Sequence, residues 1–448
     1  MSPGALLYFR ARGHCGASTN LDGAVWPIGT NRACLRAMEI SFLRHGETEA
    51  NVAGVWQGSR HGGVLTDRGR EQAVAAAERI SKKPYDLVIT SGLDRAVHTG
   101  SALGVHTESD PAWQEMDLGE WDGMTFAEIS EIYGDELIAV FSGQPVAMGR
   151  TGETILEANQ RVSDAMERLE GRLSDGERAL VVTHGGIIEQ LVRMHWGIDA
   201  PTAPFAGPLN TSLTSFRRVF GKLRLATYND TAHLGFVNDW TAERMRDGDP
   251  LITLVRHGET DANVQGRVQG QTDWGLNDQG RIQAASLASW YGRQDHVFAS
   301  PMGRAAETAA AIAVDGVTEV PEFAELNFGS WEGLTFDEVR TEAAHADLAD
   351  RIFMDGEDLP RGGDGETWAQ LIARMRKGIE RVVVNNSSRP VTIVSHGGAI
   401  RAYVLGNMGV GWPDALDTVV PANTAVTRVV ITPRGPVLAD YAVAAHLE

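Results

Sequence analysis

Cysteine and long apolar runs are scarce in this chain of 448 residues. Its two cysteines, Cys15 and Cys34, both precede residue 38, which excludes a thiol nucleophile, a zinc–thiolate site and an internal disulfide from the rest. No uninterrupted apolar run reaches the roughly 18 residues that a membrane-spanning helix needs. With 43% hydrophobic and 22% charged residues, the composition is typical of soluble globular proteins, so we expect a cytoplasmic protein with no membrane partner.

Positive charge is also in deficit, and the formal net charge is -19 at pH 7. Nucleic-acid binders hold the phosphate backbone with clustered basic residues, which this composition does not favour. We therefore expect no nucleic-acid partner. If the ligand is a small anion, local arginines must overcome the overall negative field.

The chain contains one long internal repeat. FLRHGETEANVAGVWQG recurs as LVRHGETDANVQGRVQG, which places His257 212 positions after His45. A second motif, VVTHGG and IVSHGG, places His396 212 positions after His184, and YNDTAHL and YAVAAHL match at a shift of 213. Solenoid repeats have periods of about 20 to 50 residues, so this pattern indicates duplication of a whole domain.

The repeat and its flanking composition predict the domain organisation. The segment before Met38 has several arginines, a single acid and no clear period, which indicates a disordered tail or a misassigned start. The polar stretch between the repeats is bounded by glycine and proline, as a linker would be. We expect an N-terminal extension at 1–37, a first domain at 38–234, a linker at 235–249 and a second domain at 250–448.

Each unit alternates strand and helix patterns. EISFL and LITLV are short apolar runs with β-branched residues, typical of buried parallel strands. Helical patterns follow at 67–81 and 278–291, then the strands DLVIT and HVFAS, a helix, two further helices, the strands ALVVT and VTIVS, another helix and a terminal β-pair. This alternation predicts an α/β fold, with two tandem three-layer α/β/α sandwiches around mostly parallel sheets.

Polar side chains from distant segments converge at one edge of each predicted sheet. Ligands of doubly wound sheets bind beyond the carboxyl ends of the strands. Arg44 and His45 follow the first strand, His184 follows ALVVT, and Arg95 begins the helix after DLVIT. Guanidinium groups match phosphate oxygens, and a neutral imidazole can attack phosphorus, so these groups predict a phosphoryl-transfer site. The second unit repeats them as Arg256, His257, His396 and Arg304.

A proton donor for the leaving group is expected near this edge. Glu115 in QEMDLGEWDG and Glu325 in AELNFGSWEG occupy matching places. A partly desolvated glutamic acid keeps its proton near neutral pH and can act as a general acid. Neighbouring carboxyl groups are alternatives to this assignment: Asp117, Glu120, Asp122 and Glu322.

These motifs together resemble the histidine phosphatase superfamily, in its phosphoglycerate mutase-like branch, twice over. The resemblance rests on Arg-His-Gly-Glu-Thr, SGLDRAVHT and SPMGRAAET, the glutamate before Gly-x-Trp-(Asp/Glu)-Gly, and His-Gly-Gly, and covers nearly all of both units. It implies a phosphoglycerate mutase-like fold and no cofactor or metal. The implied residues are the nucleophiles His45 and His257, the phosphate-binding Arg44, Arg95, Arg256 and Arg304, the acids Glu115 and Glu325, and the second histidines His184 and His396.

Two features leave alternatives open. Asn51 and Asn263 lie six residues after the nucleophile histidines, and either orient the phosphate or cap the next helix. In the loop after Gly58 the first unit has His61, where the second unit has Asp273 and the family often has an aspartate. This difference favours altered substrate preference over loss of chemistry.

The sequence therefore predicts a metal-independent phosphatase that hydrolyses phosphate monoesters of small metabolites through a phosphohistidine, with two competent sites. One alternative is a phosphoglycerate-type mutase, which lacks support because no longer insertion or additional basic motif follows the glutamates. The other is a regulatory or binding protein with one catalytically silent unit. Completeness of the residue set in both units argues against a silent unit.

Overall fold

The protein is described by a computed structural model that covers residues 37–198, 204–386 and 389–448. The predicted extension at 1–37 lies outside the described residues, apart from Ala37. In these three ranges, no helix combines the length and the apolar character needed to cross a bilayer.

Twelve strands form one continuous sheet. In chain order the strands are β1 (Glu39–Arg44), β2 (Leu87–Thr90), β3 (Glu108–Ser109), β4 (Arg178–Thr183), β5 (Leu213–Val219), β6 (Lys222–Asp230), β7 (Leu251–Arg256), β8 (Val297–Ala299), β9 (Val317–Glu319), β10 (Val391–Ser395), β11 (Val426–Thr432) and β12 (Gly435–Val443). Across the sheet they follow the order β3-β2-β4-β1-β5-β6-β12-β11-β7-β10-β8-β9, so the second half mirrors the first.

Helices surround this sheet. Within the described ranges they are α1 (Glu49–Ala53), α2 (Asp67–Ser81), α3 (Asp94–Ser101), α4 (Phe126–Phe141), α5 (Ile155–Glu170), α6 (Gly185–Trp196), α7 (Asp239–Arg246), α8 (Asp261–Val264), α9 (Asp278–Tyr291), α10 (Gly303–Ile312), α11 (Phe336–Thr341), α12 (Ala346–Phe353), α13 (Trp368–Asn385) and α14 (Gly397–Asn407). The helical patterns predicted at 67–81 and 278–291 coincide with α2 and α9.

The central strands are parallel and almost fully buried, as expected where helical crossover connections cover a sheet. All of β7 and β10, and five of six residues in β1 and β4, are buried, so helices cover both faces of the sheet. The parallel pairs β1–β4 and β7–β10 are in register to their last residues, with Arg44 opposite Thr183 and Arg256 opposite Ser395. The predicted α/β fold is confirmed, and these strands end at a common edge.

The structure differs from the predicted element order in three places. The expected linker contains a helix, α7, which Asn238 caps by accepting a hydrogen bond from the Thr241 amide. The second half has three helices, α11 to α13, where two were expected. The short edge strands β3 and β9 were not predicted, because two or three mostly exposed residues carry no apolar pattern.

The two halves join through β6 and β12, which pair antiparallel with Tyr228 opposite Tyr441. These tyrosines are equivalent in the repeat, since their numbers differ by the shift of 213. A contact between equivalent residues is the signature of twofold symmetry, so the two halves associate as the subunits of a symmetric dimer do. One apolar core cluster includes residues of both halves, among them Phe216 and Leu438.

Candidate active site

His45 follows the end of β1 and is almost completely buried. Its Nδ1 lies 2.7 Å from the Gly46 carbonyl oxygen. A carbonyl only accepts, so Nδ1 carries the proton and Nε2 keeps its lone pair. Burial, together with the charges of Arg44 and Arg95, holds the pKa of His45 well below its usual value. The imidazole is therefore neutral near pH 7, as a nucleophile must be.

A second buried imidazole faces the first. The rings of His184 and His45 have their centroids 5.3 Å apart. Arg95 donates from Nε to His184 Nδ1 at 3.2 Å, so the other ring nitrogen, Nε2, holds the proton and donates to Ser91 Oγ at 2.7 Å. Burial, then Arg95, lowers the pKa of His184 well below its usual value. Two neutral imidazoles therefore stand side by side.

Two guanidinium groups complete this cluster, and neutral acceptors hold both. Besides His184, Arg95 donates to the carbonyl oxygens of His61 at 2.9 Å and Gly58 at 3.0 Å. Arg44 donates from Nη1 to the Pro208 carbonyl at 2.7 Å, and its buried Nε has no hydrogen-bond partner among the described residues. Carbonyl partners leave the positive charge of both groups available to an anion.

The second half repeats this geometry closely. The ring centroids of His257 and His396 are 5.1 Å apart, and His257 Nδ1 lies 2.7 Å from the Gly258 carbonyl. Arg304 donates to His396 Nδ1 at 3.2 Å, and Arg256 donates to the Pro421 carbonyl at 2.6 Å. Burial is the main cause that lowers the pKa of each of these two arginines to about 10. All eight predicted arginines and histidines therefore come together in two matching sets of four.

Glu115 lies beside the first set, under the start of α6. Its two carboxyl oxygens accept from the Met116 amide at 3.0 Å and the Gly186 amide at 2.9 Å. Burial raises the pKa of Glu115 despite these hydrogen bonds and the nearby arginines. A glutamic acid that retains its proton suits a general acid. In the second half, Glu325 accepts in the same way from the amides of Leu326 at 2.9 Å and Gly398 at 3.0 Å.

The second glycine of His-Gly-Gly makes room for this carboxyl group. A Cβ atom on Gly186 would lie 2.5 Å from Glu115 Oε1, and one on Gly398 would lie 2.6 Å from Glu325 Oε1. Neither distance is compatible with van der Waals contact. The motif therefore positions the glutamate as well as the histidine.

Gly186→Ala is expected to displace Glu115 and lower turnover at the first site by about tenfold or more, because small displacements of catalytic groups are costly. Turnover is measured in a chain with His257→Ala, so that only the first site contributes. Gly134→Ala, on α4, is the matched control and should leave turnover unchanged, because the added methyl group would meet nothing within 4 Å beyond the adjacent residues and the nearby backbone of its own helix. Equal effects of the two substitutions would contradict this role of Gly186.

The asparagines Asn51 and Asn263 serve as helix caps. Asn51 Oδ1 accepts from the Thr48 amide at 3.1 Å, and Asn263 Oδ1 accepts from the Thr260 amide at 3.1 Å, each in a capping box. Asn51 Oδ1 also accepts from Asn210 Nδ2 at 3.1 Å. Capping, one of the two alternatives, is thus present in both halves, and a phosphate contact through the amide nitrogen stays a prediction.

Sequence reasoning missed several residues that support the histidines. Asn210 Nδ2 donates to the His45 carbonyl at 3.0 Å, and Asn423 Nδ2 donates to the His257 carbonyl at 3.0 Å. Ser300 Oγ lies 2.7 Å from His396 Nε2, as Ser91 does from His184. The sequence did hold a signal for these residues, because they recur at matching positions of the repeat. LNTS recurs as ANTA, and a serine follows both DLVIT and HVFA.

The loops after Gly58 and Gly270 make different contacts in the two halves, and an effect on substrate preference stays a prediction. Asp273 Oδ1 accepts from the Gly303 amide at 2.8 Å, which caps the start of α10. In the first half the matching helix begins with its own acid, Asp94, while His61 packs towards Asp122 with 3.6 Å between Nδ1 and Oδ1. A carboxylate thus lies near Arg95 in the first half and near Arg304 in the second, but residues at different positions supply it.

No group of three or more His, Cys, Asp or Glu side chains within the described ranges is arranged to hold a metal ion.

Comparison with known proteins gives the same family in both halves. The family model of the histidine phosphatase superfamily (branch 1) matches residues 40–231 and 252–444. The chain is 37% identical over 161 residues to a metal-independent phosphoserine phosphatase from Arabidopsis thaliana, covering 34% of this chain and 67% of that protein. It is 32% identical over 188 residues to a glucosyl-3-phosphoglycerate phosphatase from Mycolicibacterium vanbaalenii, covering 40% and 83%.

Other relatives match over a smaller share of their length. The chain spans 43% of three mycobacterial proteins to which it is 36% identical over 167 residues. Among solved structures, a phosphoserine phosphatase variant from Entamoeba histolytica in complex with phosphoserine is 28% identical, with a TM-score of 0.41. That comparison covers 44% of this chain and 100% of the other.

Proposed function

Because this chain belongs to the histidine phosphatase superfamily (branch 1), with one domain of that family in each half, we propose that it hydrolyses phosphate monoesters of small metabolites at two sites. The observation that carries the proposal is the same in both domains. Two buried, neutral imidazoles stand 5.3 Å or 5.1 Å apart beside two guanidinium groups that neutral acceptors hold. This arrangement suits a phosphoryl group between a nucleophile and its stabilising cations.

The first half-reaction forms a phosphohistidine. Nε2 of His45 attacks phosphorus, the bond to the ester oxygen breaks, and the leaving alkoxide takes the proton of Glu115. Arg44, Arg95 and His184 stabilise the charge on the equatorial oxygens. In the second domain the same steps fall to His257, with Glu325 as the acid.

The second half-reaction returns the enzyme to its initial state. Water enters where the alcohol left, and the Glu115 carboxylate accepts one of its protons as the oxygen attacks phosphorus. The bond between phosphorus and Nε2 breaks, inorganic phosphate departs and Glu115 is again protonated. Both half-reactions use only side chains of the protein, so we propose a metal-independent reaction.

Similar proteins narrow the substrate class. The two relatives described above are phosphatases of phosphoserine and of glucosyl-3-phosphoglycerate. We propose a substrate of comparable size, with the phosphate on an alkyl hydroxyl. The chain carries a net negative charge, and three of the four arginines at the two sites are buried: Arg95, Arg256 and Arg304. Both facts agree with a small anion that binds inside a local positive field.

The choice between phosphatase and mutase is tested by product analysis. With phosphoserine and 3-phosphoglycerate as substrates, we expect stoichiometric release of inorganic phosphate, and the same rate after incubation with EDTA. Phosphate release and the isomer distribution are followed together, by a coupled assay and by ³¹P NMR. Interconversion of 2- and 3-phosphoglycerate without phosphate release would favour the mutase, and loss of activity in EDTA would contradict the metal-independent mechanism.

A further inference from the structure

Each active site is connected to the opposite domain by one short segment. Strap 1 is residues 204–211, just before β5, and strap 2 is residues 417–424, just before β11. At its start, strap 1 lies along β12 of the second domain: Leu438 donates to the Pro204 carbonyl at 2.9 Å and accepts from the Ala206 amide at 2.8 Å. Strap 1 is thus anchored on a strand outside its own domain.

Strap 2 makes the reciprocal contact with β6 of the first domain. Thr418 forms an isolated parallel β-bridge with Leu225, and the Val419 amide donates to the Leu225 carbonyl at 2.8 Å. The bridges Phe205–Leu438 and Thr418–Leu225 are related by the repeat, because both pairs of equivalent residues differ by 213. Because the same contact forms at equivalent positions in both halves, we take it to be a regular part of how the two domains associate.

The far end of each strap reaches the phosphate-binding residues. Three positions after Phe205, the Pro208 carbonyl accepts from Arg44, and Asn210 then donates to the His45 carbonyl. In strap 2, the Pro421 carbonyl accepts from Arg256 and Asn423 donates to the His257 carbonyl. A strap therefore fixes both the first arginine and the backbone of the nucleophile.

Two side chains also cross the domain boundary at the straps. Trp196 of the first domain donates from its indole nitrogen to Thr418 Oγ1 in strap 2 at 2.9 Å. Asn229 accepts from the Leu209 amide of strap 1 at 2.8 Å and donates to the Ala439 carbonyl of the second domain at 2.8 Å. Four of these five residues are buried: Trp196, Thr418, Asn229 and Ala439. Water therefore does not readily replace their hydrogen bonds.

The straps end in a strained conformation. Thr211 and Thr424 adopt φ of 55° and 58°, a left-handed region that β-branched residues avoid. Such residues persist only where surrounding contacts over-determine them. The contacts at the opposite end of each strap, on the other domain, are among those that hold it.

We propose that each domain positions the first phosphate-binding arginine of the other. Leu438 and Ala439 act on Arg44 through strap 1, and Leu225 and Trp196 act on Arg256 through strap 2. These four are positioning residues. Each site is then complete only while the two domains are joined in this arrangement.

The first test uses Thr418 in a chain with His45→Ala, where only the second site turns over. Thr418→Val keeps the shape but removes the acceptor of Trp196, and it should lower kcat/KM by ~10-fold, since remote misplacement is costly. Thr418→Ser keeps the hydroxyl and should retain activity within about twofold. In a chain with His257→Ala, Thr418→Val should leave the first site unchanged. An unchanged second site, or equal losses at both sites, would overturn the proposal for strap 2.

The second test is reciprocal and uses Leu438 in the chain with His257→Ala. Leu438→Pro and Leu438→Ala both lose the leucine side chain, but only proline also removes the amide that donates to Pro204. We expect the first site to be slower with proline than with alanine by ~10-fold. Equal rates would overturn the proposal for strap 1. If the proline chain does not fold, Asn229→Gly takes its place, because it removes the side chain that joins strap 1 to the second domain. Glycine tolerates the left-handed φ of 55° at this position.

Because turnover as a readout rests on the proposed function, inorganic phosphate is also titrated by calorimetry. Thr418→Val should raise the Kd for phosphate at the second site by several fold, through Arg256, whatever the chemistry at the histidine. If Thr418→Val weakens phosphate binding as expected but no chain turns over substrate, the binding result supports the strap and the missing turnover counts against the proposed function. Phosphate binding and turnover that both stay unchanged in Thr418→Val would count against the strap alone.

Discussion

Replacing His45 and His257 together by alanine is expected to lower phosphate release from an aryl phosphate by on the order of 10³-fold or more, because no nucleophile remains. Either single replacement should leave the other site working. The rate of each single variant is then the rate of one site, and the two rates should sum to that of the unmodified chain. Initial rates with saturating aryl phosphate measure this, with circular dichroism as the check on folding.

Two outcomes would contradict this account of the nucleophiles. If one single replacement abolished all turnover, two independent sites would be untenable, and one domain would be the silent unit of the regulatory alternative. If the double variant kept substantial activity, another residue would be the nucleophile. His98→Ala is the matched control, because His98 lies on α3 outside the set of four and should not change the rate.

Glu115→Gln, in a chain with His257→Ala, is expected to slow the first site by about 10²- to 10⁴-fold with an alkyl phosphate, whose alkoxide leaves only when protonated. With an aryl phosphate, whose phenolate leaves without a proton, the loss should be much smaller. Measuring kcat/KM with both substrates gives the ratio that defines a general acid. Equal losses with the two substrates would contradict the assignment.

The pH profile follows from the same assignment. Glu115 donates only when protonated, and burial raises its pKa, so activity should be full at acidic pH and fall as the pH rises through that pKa. His45 has a pKa well below its usual value, so it stays neutral as the pH falls towards the acidic range. Glu115→Gln should abolish the alkaline fall. Glu120→Gln, a partly exposed glutamate of the same loop that accepts from Tyr133, should preserve it.

The central strands and the residues at their ends were predictable, since buried β-branched runs followed by Arg-His or His-Gly-Gly fix both the parallel pairing and the shared edge. The supporting residues were less predictable. Asn210 acts on the His45 carbonyl from 165 positions away, and only the closed fold brings them together. Its one signal in the sequence was the repetition of Asn-Thr.

The union of the two domains was not predictable from the repeat. An edge strand such as β6 can face solvent or pair with another strand, and its own alternation of side chains does not specify the partner. In the structure β6 pairs with β12, with Tyr228 opposite Tyr441, and this pairing joins the sheets of the two domains into one sheet of 12 strands. The sequence also left the role of Asn51 open, because capping and phosphate contact require the same position after the nucleophile.

Counting phosphoryl groups on the protein during turnover tests the central claim most directly. The chain is quenched in alkaline denaturant, in which phosphohistidine survives, and intact-mass and peptide analysis give the number and position of the groups. We predict up to two per chain, on His45 and His257, one in each single alanine variant and none in the double variant. A phosphoryl group on any other residue, or one that persists in the double variant, would contradict a tandem histidine phosphatase with two working sites.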